Sequence, residues 1–228
     1  MGQQLKKISD HVWVYTFDSP KDRPNLGYIL GSRMSMVVDA GHSSSHVADF
    51  YRALEEHDLP LPALTAITHW HWDHTFGMHA VNGKTIARFE TNRELAGILA
   101  EMKANPMWES TFLNSDPSIR REYQNGRIRV VPVLADEKLR QEKSIDLGSV
   151  SARLLFADSP HTDDALLVHV PEDRVLFIGD AQLGQFPSWR MDYDKLDRLA
   201  RRIREIDAEF VVDGHWHIYR KQELLEEL

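Results

Sequence analysis

The sequence predicts a layered α/β fold, and three observations carry that prediction. Strand-length runs of β-branched and aromatic residues recur along the whole chain. Helix-length segments with one apolar stripe separate them. The two kinds of element come in two similar rounds, and burying both around a core requires layers. No repeat, low-complexity tract or linker interrupts the 228 residues, so one domain over 1–228 is expected.

The elements follow in order. Residues 12–17 alternate as a half-buried strand should, and 27–30 and 35–39 make two more around a turn at Gly31-Ser32-Arg33. The last of these stops at Asp39-Ala40-Gly41, and residues 43–56 read as a helix with serines available to cap it. A short buried strand at 64–68 and another at 84–88 come next. Residues 92–103 and 118–123 have helical patterning, separated by Asn105-Pro106 and a loop carrying Trp108 and Phe112. Strand character returns at 127–133, 150–157, 165–170 and 174–178. A helix at 193–206, a strand at 210–212 and a closing helix at 221–228 complete the second round.

Composition narrows the function. There is no cysteine, which excludes disulfides, thiolate metal sites and cysteine nucleophiles. No apolar run reaches the ~20 residues that span a bilayer, and none near the start has signal-peptide length. A cytoplasmic protein without a membrane partner is therefore expected. The formal charge of −8 disfavours nucleic acid, whose phosphates are read by lysine and arginine. Arg198, Arg201, Arg202 and Arg204 are concentrated on one predicted helix and read as its solvated face.

The chemistry is concentrated in Thr68-His69-Trp70-His71-Trp72-Asp73-His74. Three imidazoles and a carboxylate within six positions, just past a strand, suit zinc and its neighbours. Placing such groups side by side without a partner would be costly. In extended backbone His69 and His71 point the same way, while Asp73 and His74 fall beyond them and can serve a second ion. The two tryptophans are expected to point away and pack. Four ligands cannot complete two sites, and further candidates follow other strands: His161 in Asp158-Ser159-Pro160-His161, Asp180 in Phe177-Ile178-Gly179-Asp180, and His215 in Val212-Asp213-Gly214-His215. Each follows a strand and a small or turn-forming residue.

With these landmarks in order, the sequence resembles the metallo-β-lactamase fold hydrolases from Val12 to His217. The resemblance implies a four-layer αβ/βα sandwich with metals at one edge between two sheets. It also implies that His69, His71 and His161 hold a first ion, that Asp73, His74 and His215 hold a second, and that Asp180 bridges them. Asp39 would orient the cluster through hydrogen bonds. Two divalent ions, zinc first and manganese or iron as alternatives, would activate a water for attack on a small-molecule substrate. Asp73 is the candidate catalytic residue, orienting the nucleophile or passing a proton to the leaving group.

Substrate is less legible, because the fold hosts many chemistries. The commonest zinc β-lactamases carry a cysteine where Asp180 stands and a lysine nearby; Ala181-Gln182-Leu183-Gly184 offers neither. Glyoxalase II enzymes add a C-terminal helical region, and acyl-homoserine lactonases a tyrosine soon after the bridging aspartate. Tyr193, the nearest tyrosine here, stands too far along the chain. The expectation is a dinuclear hydrolase of a small ester, lactone or thioester; the alternative is a mononuclear iron oxidoreductase or a noncatalytic metal-binding protein. A helical lid-like insertion is expected at about 91–125, where Met102, Met107, Trp108 and Phe112 form either a pocket wall or the core of two helices. Arg190 reads as a surface arginine or an anion grip, and His42, His79 and His217 are left without a role.

Overall fold

A computed structural model describes residues 3–228. Seven strands form the first sheet in sequential order: β1 Leu5–Lys7, β2 Val12–Tyr15, β3 Leu26–Leu30, β4 Ser35–Val38, β5 Leu64–Ala66, β6 Lys84–Arg88 and β7 Glu137–Leu139. The first four pair antiparallel, and from β4 onward the pairing is parallel. The second sheet runs β13-β12-β11-β10-β9-β8, from Ile218–Arg220, Phe210–Asp213, Val175–Gly179, Leu166–Val170, Ser151–Phe156 and Lys143–Asp146. Only its β11–β12 pair is parallel.

Side-chain alternation turns these strands into four layers. On β2, Val12 and Val14 face the second sheet, and β11 answers with Val175 and Phe177; these residues share one core with Met36, Leu154 and Val168. The other faces are buried as well. Trp13 and Tyr15 pack with Phe50 and Leu54 of α1, Ser44–Glu56, while Leu176 and Ile178 pack with Leu199 and Ile203 of a later helix, Tyr193–Glu205. Strands buried on both faces have continuous apolar runs, which is why β11 has no polar alternation. Ser43 caps α1 by accepting from the N–H groups of Ser45 and His46, as its sequence suggests.

The helical stretch between the rounds is α2 Trp72–Thr75, α3 Phe89–Ala104, α4 Trp108–Leu113 and α5 Pro117–Glu122. The Tyr193–Glu205 helix is α6, and Lys221–Glu227 is α7. Trp108 stacks on Phe112 at 5.3 Å, and both pack with Phe76 and Tyr123. They are core residues of this segment and line neither cleft at the site described below, and Met107 is exposed. Of the two alternatives, packing holds for Trp108 and Phe112, and Met107 follows neither.

One expected strand is absent. Residues 127–133 have no regular structure: Ile128, Val130 and Val133 turn into the helical cluster, and Pro132 has no N–H for a ladder. The sheet is completed instead by β7, where Glu137 stands opposite Ile86. A buried ion pair ties the segment down. Arg23 Nε donates to Glu122 at 2.7 Å and its Nη1 to Asp49 at 2.9 Å, and Ser43 Oγ donates to the other oxygen of Glu122.

Candidate metal centre

Every predicted ligand lies just beyond the carboxyl end of a strand, on one edge shared by both sheets. His69 follows β5, His161 follows β9, Asp180 follows β11 and His215 follows β12. Asp73 and His74 sit on the single turn of α2 rather than in extended loop. All seven side chains are buried. Two glycines make the convergence possible. A Cβ on Gly214 would meet Asp180 Oδ1 at 2.0 Å, and one on Gly179, whose φ is +52°, would meet Thr68 Oγ1 at 2.6 Å.

The hydrogen bonds fix which ring nitrogen is free. Asp39 accepts from the Thr68 amide at 2.7 Å and the Thr68 hydroxyl at 2.8 Å, so Thr68 Oγ1 can accept from His69 Nδ1 at 3.1 Å. His74 Nδ1 donates to Asp39 Oδ2 at 2.8 Å, and His161 Nδ1 donates to the Gly184 carbonyl at 2.7 Å. That leaves Nε2 of His69 and His161 with a lone pair turned inward, and His74 Nε2 faces inward as well. His71 presents Nδ1, which lies 3.2 Å from His69 Nε2 and 2.9 Å from His161 Nε2. His215 Nε2 lies 3.0 Å from Asp73 and 3.3 Å from Asp180.

The donors form two groups, His69–His71–His161 and Asp73–His74–Asp180–His215. Burial, followed by like-charge neighbours, pushes His69 well below its ordinary value; burial and then His161 push His71 down to about 3. Neutral imidazole is the ligating form. In the second group burial opposes ionisation of Asp73 and Asp180, but His74 and His215 overcome it and hold both carboxyls well below the usual range. Burial likewise works against charge on His74 and His215, and the carboxylates outweigh it, raising both. His74 Nε2 and Asp180 Oδ1 are buried without a hydrogen-bond partner. A set of inward lone pairs and carboxylate oxygens with orphaned atoms fits divalent cations.

The family model of the metallo-beta-lactamase superfamily matches residues 22–215. The chain belongs to that superfamily. Among metallo-beta-lactamase superfamily relatives, it is 24% identical over 220 residues to the acyl-coenzyme A thioesterase MBLAC2 of Gallus gallus, covering 89% of this chain and 76% of that one. The Homo sapiens protein of the same name is 22% identical over 250 residues, covering 96% and 83%. Two solved structures share the fold: a metallo-beta-lactamase from Pontibacter korlensis, with TM-score 0.70, 16% identity and coverage of 99% and 100%, and one from Hirschia baltica, with TM-score 0.67, 17% identity and coverage of 99% and 95%.

The sequence reading did not find every residue at the centre. Asp22, in a left-handed turn at φ 52°, brings Oδ1 to 3.6 Å from His215 Nδ1, and burial followed by Asp73 pushes its carboxyl up to about 6. Asn25 anchors the same loop, donating to the Asp213 carbonyl at 3.0 Å and accepting from Phe17 N–H. No local motif marks either residue. Both tryptophans, expected to point away, line clefts beside the cluster: Trp70 one and Trp72 another, where it meets Phe186 edge-on at 5.0 Å. His42 and His79 bond backbone carbonyls away from the cluster, and His217 contacts Tyr219. Arg190 lines a polar cleft of about 810 Å³ beside the cluster, with Arg93, Asp163 and Lys195. A smaller cleft of about 180 Å³ opens directly onto Asp73, His161, Asp180 and His215. Among the described residues no helix is long and apolar enough to cross a membrane.

Proposed function

We propose that this chain is a dinuclear, zinc-dependent hydrolase of a small ester, lactone or thioester, with thioesters first among these. The observation that carries the reading is the convergence of two complete donor groups at the floor of an open cleft. His69, His71 and His161 would hold one ion, Asp73, His74 and His215 the other, with Asp180 between them. When bound, the ions supply acidity to a water and positive charge against a developing oxyanion.

The chain's own residues do the rest. Asp39 holds His74 in the tautomer that turns Nε2 inward, and Thr68 and the Gly184 carbonyl do the same for His69 and His161. Trp72 and Phe186 cover the cleft wall and keep bulk water off the ligands. In the reaction the hydroxyl of water joins the acyl carbon, the carbon–sulfur or carbon–oxygen bond breaks, and the water's proton ends on the leaving atom. Asp73 lines the cleft with Asp22 and Asp180, and we assign it to orient the nucleophile or carry that proton. The thioesterase names of two relatives favour a thioester over the other acyl compounds.

A panel of thioester, lactone, phosphodiester and β-lactam substrates, assayed with zinc-loaded and chelated protein, tests the reading. Turnover of an acyl substrate that disappears with chelator, at two zinc per chain, is the expected result. One iron per chain with oxygen-dependent turnover would replace it with redox chemistry. Asp73→Ala is expected to lose most activity and one of the two ions; full turnover with both ions retained would end the assignment of Asp73.

A further inference from the structure

Two exposed tryptophans flank the smaller cleft, and both are held in backbone that bulky residues avoid. Trp189 is 58% exposed at φ 54°, and Trp216 is 57% exposed at φ 64°. A large non-glycine side chain in the left-handed region is an outlier that persists only where its surroundings hold it. Each ring lies against a different proposed ligand: Trp189 stacks on His161 at 6.2 Å and 25°, and Trp216 lies 5.4 Å from His215. Phe186 meets Trp189 edge-on at 5.7 Å, and Phe17 does the same to Trp216 at 5.8 Å. Trp72 and Leu183 line the same cleft.

Resting on the hydrolase reading above, we infer that Trp189 and Trp216 form the walls of an acyl-binding subsite that selects an apolar acyl group of medium length. Three features fix the occupant. The walls are aromatic and aliphatic, so they reward burial of methylenes or a flat ring. The volume, about 180 Å³, is near the ~150 Å³ of an apolar cavity that takes up benzene, and the reacting carbonyl shares it, which holds the acyl group to about six carbons. The floor is the donor cluster for divalent cations, which disfavours a cationic group there. The polar remainder of the substrate has its own space, since His71, His161 and Phe186 also border the larger cleft with Arg190 and Lys195. Trp189 and Trp216 thus determine specificity without touching the reacting bond.

The test compares acetyl and hexanoyl thioesters of N-acetylcysteamine on the zinc-loaded protein. It also measures binding of methyl and hexyl ketone analogues, in which a methylene replaces the sulfur, by tryptophan fluorescence. Partial burial of four methylenes makes hexanoyl better by about tenfold in kcat/KM. Trp189→Gly and Trp216→Gly remove the rings at positions whose backbone glycine adopts freely, so the fold is retained and the melting temperature does not fall. In both variants the hexanoyl-to-acetyl ratio falls toward one through KM, and Trp189→Phe or Trp216→Phe restores part of it. Equal use of both thioesters by the unaltered protein, a preference that survives both glycine variants, or tighter binding of a choline ester would overturn the inference. If no acyl compound turns over but the hexyl ketone still binds more tightly in the unaltered protein alone, the subsite stands and the hydrolase reading falls. If no acyl compound turns over and neither ketone binds, both fall.

Discussion

Two buried charged clusters sit in this molecule, and they end differently. Around Arg23 each charge finds a protein partner: Glu122 and Asp49 accept from the guanidinium, and Ser43 satisfies the remaining oxygen of Glu122. Around Asp180 the charges pair, but hydrogen-bonding atoms are left over. His74 Nε2, Asp180 Oδ1 and His215 Nδ1 are buried with no hydrogen-bond partner, although four ligand-type residues crowd together. Burying charge is tolerable only when it is paired. A cluster closed by its own chain serves the fold, whereas one whose free atoms point at each other waits for something brought from outside.

Two substitutions separate these roles. Asp180→Ala removes the carboxylate that faces both donor groups, with His161 at 3.6 Å and His215 at 3.3 Å. Turnover should fall by ~10⁴, about 5.5 kcal/mol, and bound metal should drop from two ions toward none. The metal-free protein loses only part of its charge pairing, because Asp73 still faces His74 and His215. Glu122→Ala should do the reverse: Arg23 is left buried without its main partner, at a cost of about 3–5 kcal/mol in unfolding free energy. Its metal content per folded chain should stay at two. Denaturation curves and elemental analysis on both variants check the contrast, and a Glu122→Ala protein that lost metal while keeping its stability would break it.

The same contrast explains what the sequence discloses. The candidate metal cluster is legible because three imidazoles and a carboxylate crowd into residues 69–74 and because His161, Asp180 and His215 each close a strand–turn pattern. Local spacing carries that information. The Arg23–Glu122 pair carries none, since its partners meet only through the packing of α5 against the loop after β2. Asp22 and the two cleft tryptophans are hidden for the same reason: a left-handed turn and a tertiary edge place them. The layers themselves were readable from doubly buried strands, while β1, β7, β8 and β13 are three- or four-residue strands whose pairing is set by register. Residues 127–133 show the converse error, β-branched patterning without a neighbouring strand to pair with.

A third buried charge tests where the boundary between the two kinds of cluster lies. Asp164 is 1% exposed, and both its oxygens are buried without a hydrogen-bond partner, with the Thr91 and Thr162 hydroxyls nearby. Unlike Asp180 it stands outside the donor groups, and the charge of Arg88 offsets its burial only in part. Burial pushes its carboxyl up to about 6. The folded protein therefore holds this proton more tightly than the unfolded chain does. Stability from this group is greatest below the ordinary carboxyl value, declines as pH rises toward 6, and stays low above it. Asp164→Asn keeps the shape and removes the titration. The variant should be more stable than the parent by up to about 3 kcal/mol at pH 7–8, with the gain shrinking toward zero near pH 4. Chemical denaturation at several pH values reads this directly. A loss of stability at every pH would instead mean that Asp164 is ionised and paired, which would move it to the closed kind of cluster.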